Sequence, residues 1–406
     1  MIPALLLLAA ACTLAGCTAA PAGGTGGGFA LSGDVRTLPG PTAWQLAHGS
    51  WLRIPDVPIR LCDGHPVWDG SDLILIEPGF APCHPAAASY DPADNSWRVI
   101  AAPPKAAGQV PVVAWGGGRI LMVSPDTGAA VAWDKASGRW QVLTPLPAVH
   151  AISVTWTGRA FLVVTLRQLA VNRGVAEAFA LRGDQWTRLP DLPQPRSGQI
   201  ANVATATYRG TLYAYAGVTI AHANPNDSYT AEYPELLRLA GSAWRRVSLP
   251  AGVPLSQQAL ETAQGTLVAL GSSCPGPICM EEAGAAALLM PGTRTRVVRL
   301  DPKPEVPYPY DVAAGGHAVI MMYSSGLGRP LLPGQGPARG SLAIYDLRTG
   351  RWLNGPTAPE TPADAQAVPA TVWTPFGVIS VSQEIVGLVT DGDPGGWLLR
   401  PARAGR

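Results

Sequence analysis

Charge is scarce in this sequence. Its 29 Lys and Arg and 28 Asp and Glu leave a net charge of +1 at pH 7. A nucleic-acid partner requires a clustered basic face, so none is expected. Long apolar runs are missing too: after residue 16 no eighteen consecutive apolar residues occur, whereas a spanning helix needs about 20. Sharp catalytic and metal signatures are also lacking, with no GxSxG, HExxH, HxH or GxxxxGK[ST] pattern to announce a nucleophile elbow, a zinc pair or a phosphate loop. What is abundant is Pro (41), Gly (46) and Trp (13), against 47% apolar residues. Disorder requires low hydrophobicity, so this composition describes a turn-rich folded protein.

Residues 2–11, IPALLLLAAA, fit the apolar core of a secretory signal, although no Lys or Arg precedes them. Leu14-Ala15-Gly16-Cys17 follows and resembles the bacterial lipobox, in which the cysteine is acylated and becomes the new N-terminus. The resemblance implies a signal peptide over 1–16, a lipid on Cys17 and an extracytoplasmic protein anchored to the bacterial membrane. A single acyl chain binds a bilayer weakly; the lipoprotein modification supplies several. Residues 18–28, TAAPAGGTGGG, have the composition of a flexible linker, giving a lipidated tether over 17–40. Four further cysteines remain in the mature chain, Cys62, Cys83, Cys274 and Cys279. In an oxidising compartment an even number implies disulfides. Of the three pairings, Cys62–Cys83 with Cys274–Cys279 is favoured.

The remaining roughly 360 residues are long for one ordinary domain but suit an array of repeats. A unit recurs: a short strand ending in an aromatic residue, a Gly-containing turn, then an apolar strand. It reads VWDGSDLILI (67–76), VAWGGGRILMVS (113–124), VTWTGRAFLVV (154–164), ATYRGTLYAYAG (206–217), LETAQGTLVALG (260–271), VAAGGHAVIMMY (312–323) and TVWTPFGVISVS (371–382). The aromatic is Trp68, Trp115, Trp156, Tyr208 or Trp373, and is missing from the fifth and sixth units. Each unit predicts a tight β-hairpin. A second hairpin follows, with a tryptophan opening its last strand: Trp97, Trp140, Trp186, Trp244 and Trp352. Four-stranded sheets that cannot bury both faces alone must stack on neighbours. The expected fold is therefore an all-β propeller over 41–403, of seven four-stranded blades, with six or eight as alternatives. TAWQLAHGSWLRIPDVP (42–58) reads as a second-half hairpin lacking a first half, as expected where one terminus completes the other's blade. GLVTDGDPGGWLLR (387–400) reads as one second half too many, so either one of these two hairpins is peripheral or the ring has eight blades.

The Tyr90-Asp91…Trp97 and Tyr345-Asp346…Trp352 pattern, with Pro193-x-x-Arg196 after a last strand, resembles the kelch family and the propeller domain of galactose oxidase. The resemblance spans about residues 42–400, although the family's double glycine after the second strand is mostly missing. It implies the propeller fold, and for galactose oxidase-like chemistry it would require a Tyr–Cys cross-link and copper-ligating histidines. The commitment of the cysteines to disulfides disfavours that chemistry.

Second-to-third-strand loops and blade-to-blade loops should share one face of the ring. GVTIAHANPNDSYTAEYPE (217–235) and SSGLGRPLLPGQGPARG (324–340) read as long loops on that face, where function concentrates. His65, His84, His150 and His222 fall there, as do Arg60, Arg167, Arg196, Arg329 and Arg339. The histidines, joined by Glu77 and Asp227, are the residue types that could hold zinc or copper. Without short ligand spacing, no metal is expected. The arginines suit a sugar acid or another carboxylate. Glu281 and Glu282 are adjacent carboxylates in one loop, an arrangement unlike the separated pair of a glycosidase. The expected function is a membrane-tethered extracytoplasmic binding or interaction module for carbohydrate or protein, without a cofactor. The alternative is an exported enzyme of the galactose oxidase or sugar-acid mutarotase kind, working at the channel mouth.

Overall fold

A computed structural model describes residues 40–403 except 63, 80–82, 109–110, 171–172, 222–229, 250–255, 264–265, 273–284, 292–295, 300–308, 324–340, 358–368 and 383–395. Among the described residues the strands form seven antiparallel four-stranded sheets. The first strand of each sheet touches the first strand of the next, and the seventh touches the first, so the sheets are blades around one axis. Blade one comprises His65–Trp68, Leu73–Glu77, Ala86–Asp91 and Ser96–Ile100. The first strands of blades two to seven are Val112–Gly116, Ala151–Trp156, Gln199–Tyr208, Ser256–Ala263, Pro309–Gly315 and Pro369–Thr374.

The second strands explain the unbroken apolar runs. Leu73, Ile74, Leu75 and Ile76 are all fully buried, because alternate residues of one strand face opposite sides and both sides meet another blade. Leu73 and Leu75 pack with Ile379, Val381 and Leu398 of blade seven. Ile74 and Ile76 pack with Ile120, Met122 and Val131 of blade two. The same two-sided burial recurs around the ring, for example where Leu162 and Val164 of blade three meet Ala214, Ala216 and Leu237 of blade four.

The outer tryptophans join blades by hydrogen bonds as well as by packing. Trp140 Nε1–H donates to the carbonyl of Ala101, just past the outer strand of blade one, at 2.7 Å. Trp186 does so to Thr144 (2.8 Å) and Trp244 to Pro190 (3.0 Å). Trp97 reaches Pro55 (2.8 Å), and Trp51 reaches Pro356 (3.1 Å). In each pair the acceptor is the short tail leaving the preceding blade. A net hydrogen bond contributes about 1 kcal/mol. Replacing Trp244, which is buried, by Phe should therefore lower unfolding free energy by about 1–2 kcal/mol, measured by denaturant titration. An unchanged midpoint would show that the N–H adds nothing beyond the ring.

Blade seven resolves the two competing hairpins, and neither is peripheral. Gly396–Arg400 is its third strand and Ser50–Ile54 its fourth, paired from Ser50↔Arg400 to Ile54↔Gly396. The remainder of the N-terminal segment corrects the sequence reading: Ala43–Ala47 is a short helix, not a strand. Local chemistry decides this. Thr42 and Gln45 form a reciprocal capping box, which satisfies two of the amides that a helix start leaves orphaned. Ala43 and Leu46, three apart, bury one face beside the third and fourth strands of blade six.

The second correction concerns 217–235. Most of it is not loop but paired strand, in Thr211–Ala221 and Thr230–Ala240, with Val218↔Tyr233 and Ile220↔Ala231 in register. The β-branched run Val218-Thr219-Ile220 favours extended backbone. Blade three has a matching hairpin, Phe161–Ala170 with Arg173–Arg182, so these two blades carry strands about twice as long as those of blades one and two.

Candidate ligand site in the central channel

The disulfide verifies which loops share a face. Cys62, before the first strand of blade one, is bonded to Cys83, between its second and third strands, with a Cα–Cα distance of 6.0 Å. Beneath it lies Glu77, fully buried. One carboxylate oxygen accepts from the Cys62 amide (2.7 Å) and the other from the Gly79 amide (2.9 Å). Glu77, considered above as a metal ligand, thus fixes the disulfide-bearing loops. Cys274 and Cys279 lie outside the described residues, as do Cys17, His222, Asp227, Glu281, Glu282, Arg329 and Arg339.

The other candidates on this face are placed but not convergent. His84, His150, Arg60 and Arg196 are exposed, and His65 is half-buried at the start of its strand. The main chain of His150 does structural work: its amide donates to the Pro125 carbonyl of the blade-two loop, and its carbonyl accepts from Leu166 at 2.8 Å. Arg167 is paired with the buried Glu177 at 3.0 Å, and Arg188 meets the same oxygen at 3.0 Å. Among the described residues no three His, Cys, Asp or Glu side chains come together as metal ligands do.

A cavity of about 690 Å³ lies at the other end of the axis, where the first strands run into their hairpin turns. All seven first strands contribute to it. Its wall carries Trp68, Trp115, Trp156 and Trp373, with Thr155, Thr205, Thr207 and Thr371 between them. Trp68, Trp156 and Trp373 stand there because each closes a first strand and leans on the preceding blade's hairpin turn. Trp156 lies against Gly116 and Trp373 against Gly315, so closely that a Cβ on either glycine would fall about 2.0–2.3 Å from the indole. Trp68 meets Phe376 of blade seven edge-on, with centroids 6.1 Å apart.

Hydroxyl groups link blades three and four along this wall. Thr155 Oγ1 donates to the Thr205 carbonyl at 2.7 Å, and Thr205 Oγ1 reaches Thr155 Oγ1 at 2.8 Å. Trp68 Nε1, Thr207 Oγ1 and Trp373 Nε1 are buried with no hydrogen-bond partner among the described residues. A buried donor without an acceptor costs about 1–3 kcal/mol; Trp373 Nε1 is covered by Gly40.

None of the described lining residues ionises. The ammonium of Lys135 sits 5.8 Å over the Trp115 ring, but it is committed to the buried Asp69 at 2.9 Å. Next to it, burial pushes the Asp72 carboxyl up. Hydrogen bonds from Ser71 and Ser89 and the charges of Lys135 and Arg98 outweigh that effect and hold it below the usual carboxylate range. The wall is therefore aromatic and hydroxylic. The Trp residues occupy the strands that the repeat predicts, and besides packing the blades together they line the cavity. Their recurrence at the ends of first strands was the signal that they ring the axis.

No family profile matches the sequence, and no curated protein matches it. Solved structures do. A fungal alcohol oxidase of the AA5 family, in complex with copper, aligns over 87% of this chain and 76% of its own, at 13% identity and a TM-score of 0.54. The β-propeller domain of the Trilobed protease from Pyrococcus furiosus, described as having an open velcro topology, aligns over 82% and 100%, at 11% identity and a TM-score of 0.50. Similarity at this identity is similarity of fold. The chain is a β-propeller of four-stranded antiparallel blades, a fold it shares with the AA5 alcohol oxidase and the protease propeller domain.

Proposed function

We propose that this protein is an extracytoplasmic, lipid-anchored binding module whose ligand is a neutral carbohydrate held in the tryptophan-lined end of the channel. The observation that supports the reading most is the character of the wall: four indoles and four threonines, with no ionisable group among the described lining residues. Ligand sites are concave, largely apolar and aromatic, with a few polar groups that fix orientation. A sugar suits such a wall, since its C–H faces can lie on the indole rings while its hydroxyls bond the threonine hydroxyls between them. An anionic ligand would be desolvated there without a counter-charge, at a cost of several kcal/mol.

Calorimetric titration of the purified protein with a panel of neutral oligosaccharides tests this. Trp115→Ala should weaken binding tenfold or more, about 1.4 kcal/mol, and Trp115→Phe should retain most of it. If no oligosaccharide binds, or Trp115→Ala binds as the parent does, the reading fails. Location has its own test. Cys17→Ala should move the protein from the membrane fraction to the soluble one; unchanged retention would remove the lipid anchor from the proposal.

A further inference from the structure

The four tryptophans of the cavity wall are held in different ways. In blades two and six the first hairpin turn opens with glycine, and the next blade's ring lies on it. A Cβ on Gly116 would fall 2.0 Å from Trp156, and one on Gly315 would fall 2.3 Å from Trp373. The second glycine of each turn, Gly117 or Gly316, meets the same ring. In blade one Asp69 and Gly70 hold these two positions, because Trp68 pairs with Leu73 as Trp115 pairs with Ile120. Asp69 carries the Cβ for which the other turns leave no room, and nothing lies within 4 Å of a Cβ built on Gly70. Trp115 therefore does not rest on the preceding turn as Trp156 and Trp373 do.

A lysine stands over it instead. Lys135 opens the second turn of blade two, where its amide donates to the Gly118 carbonyl at 3.0 Å, and its side chain crosses to blade one. There the ammonium donates to Ser71 Oγ at 2.7 Å and meets Asp69 Oδ1 at 2.9 Å, the Asp69 side chain being fully buried. The same oxygen accepts from the amides of Ser71 (3.0 Å) and Asp72 (2.8 Å), which fix it in turn. Pinned at both ends, the ammonium lies 5.8 Å over the Trp115 ring, where the ring's quadrupole attracts it. Lys135 itself is not one of the described lining residues. We infer that Lys135 is a positioning residue of the ligand site, holding the Trp115 indole as a fixed stacking platform where a glycine seat does so for Trp156 and Trp373. The identity of what stacks rests on the carbohydrate reading; the bracing of the ring does not. A side chain ordered before the ligand arrives loses no rotamer freedom on binding, so losing the brace weakens affinity without removing a ligand contact.

Heteronuclear NMR of the purified protein tests this through the Trp115 indole N–H, the resonance that Trp115→Phe removes. In Lys135→Met that resonance should shift and broaden, while those of Trp156 and Trp373 stay in place. Lys135→Arg, which keeps a cation over the ring, should restore it. In calorimetric titration with the neutral oligosaccharide panel, Lys135→Met should weaken binding by about threefold to tenfold, and Lys135→Arg should bind nearly as the parent does. Removing the ammonium leaves Asp69 a buried carboxylate without a counter-charge. Should Lys135→Met fail to fold, Asp69→Asn combined with Lys135→Met removes both charges and is read in the same way. An unmoved Trp115 resonance overturns the inference whatever the sugar does, and a moved resonance with unchanged affinity overturns the part of Lys135 in the site. If no oligosaccharide binds the parent, the carbohydrate reading falls alone, and the resonance still decides whether Lys135 braces the ring.

Discussion

A chain beginning at Pro55 is expected to lose cooperative unfolding and to associate. That truncation removes the fourth strand of blade seven and leaves Gly396–Arg400 as a bare edge, a template for pairing with another chain. It also removes Leu46 and Ile54, both fully buried, and uncovers Leu398 and Leu399, which pack with them. Burying a side chain of this size contributes about 1.5–3 kcal/mol, so these two alone account for about 3–6 kcal/mol. The bond from Trp51 to Pro356 and the ladder to blade seven are lost as well. Against a total stability of about 5–15 kcal/mol, the ring should not stay closed. Calorimetry and size exclusion read the result directly: a monomer with the parent's transition would show that the terminal strand is dispensable. Ile54→Ala gives a graded version, expected to cost about 2–5 kcal/mol.

Gly377→Ala is the second change with a large expected effect. Gly377 opens the second strand of blade seven at φ +135°, and a Cβ there would stand 1.9 Å from the Leu399 carbonyl oxygen. The obstruction is backbone, held by the pairing of Val378 with Leu399, so no side-chain rotation relieves it. The third strand would have to move, breaking the ladder that the N-terminal strand completes. Several kcal/mol of destabilisation is expected, in the range reserved for strain at special backbone geometry. Gly138→Ala is the matched control. Its φ is +66° with nothing within 4 Å of the added methyl, so only the left-handed strain of about 1–2 kcal/mol remains. Equal midpoints for the two variants would refute the clash.

The reading from sequence went wrong where two local patterns competed or where chain distance hid a neighbour. TAWQLAH resembles a strand if only its aromatic is weighed, yet the Thr42–Gln45 box gives the backbone a better local solution. Residues 217–235 look like a loop because Asn, Pro and Asp crowd their middle, while Val218-Thr219-Ile220 at the near end extends the hairpin. Cys62 and Cys83 were legible as a pair because both flank one hairpin unit. Glu77 as their buried acceptor was not, since its partners are main-chain amides. The histidines and arginines drew attention to one face by their chemistry, whereas the cavity at the other end is built from Trp and Thr, types that seldom announce a site.

Sequence alone determined the repeating strand–aromatic–turn unit, the two-sided burial of the second strands, and the need for one terminus to finish the other's blade. These follow from local periodicity and from the requirement that buried edges be paired. Only the tertiary structure decided which strand closes the ring, where each outer indole finds its carbonyl, and that the channel's aromatic end adjoins Gly40. Those facts depend on seven distant segments meeting around an axis, and no stretch of chain contains its own neighbours in space.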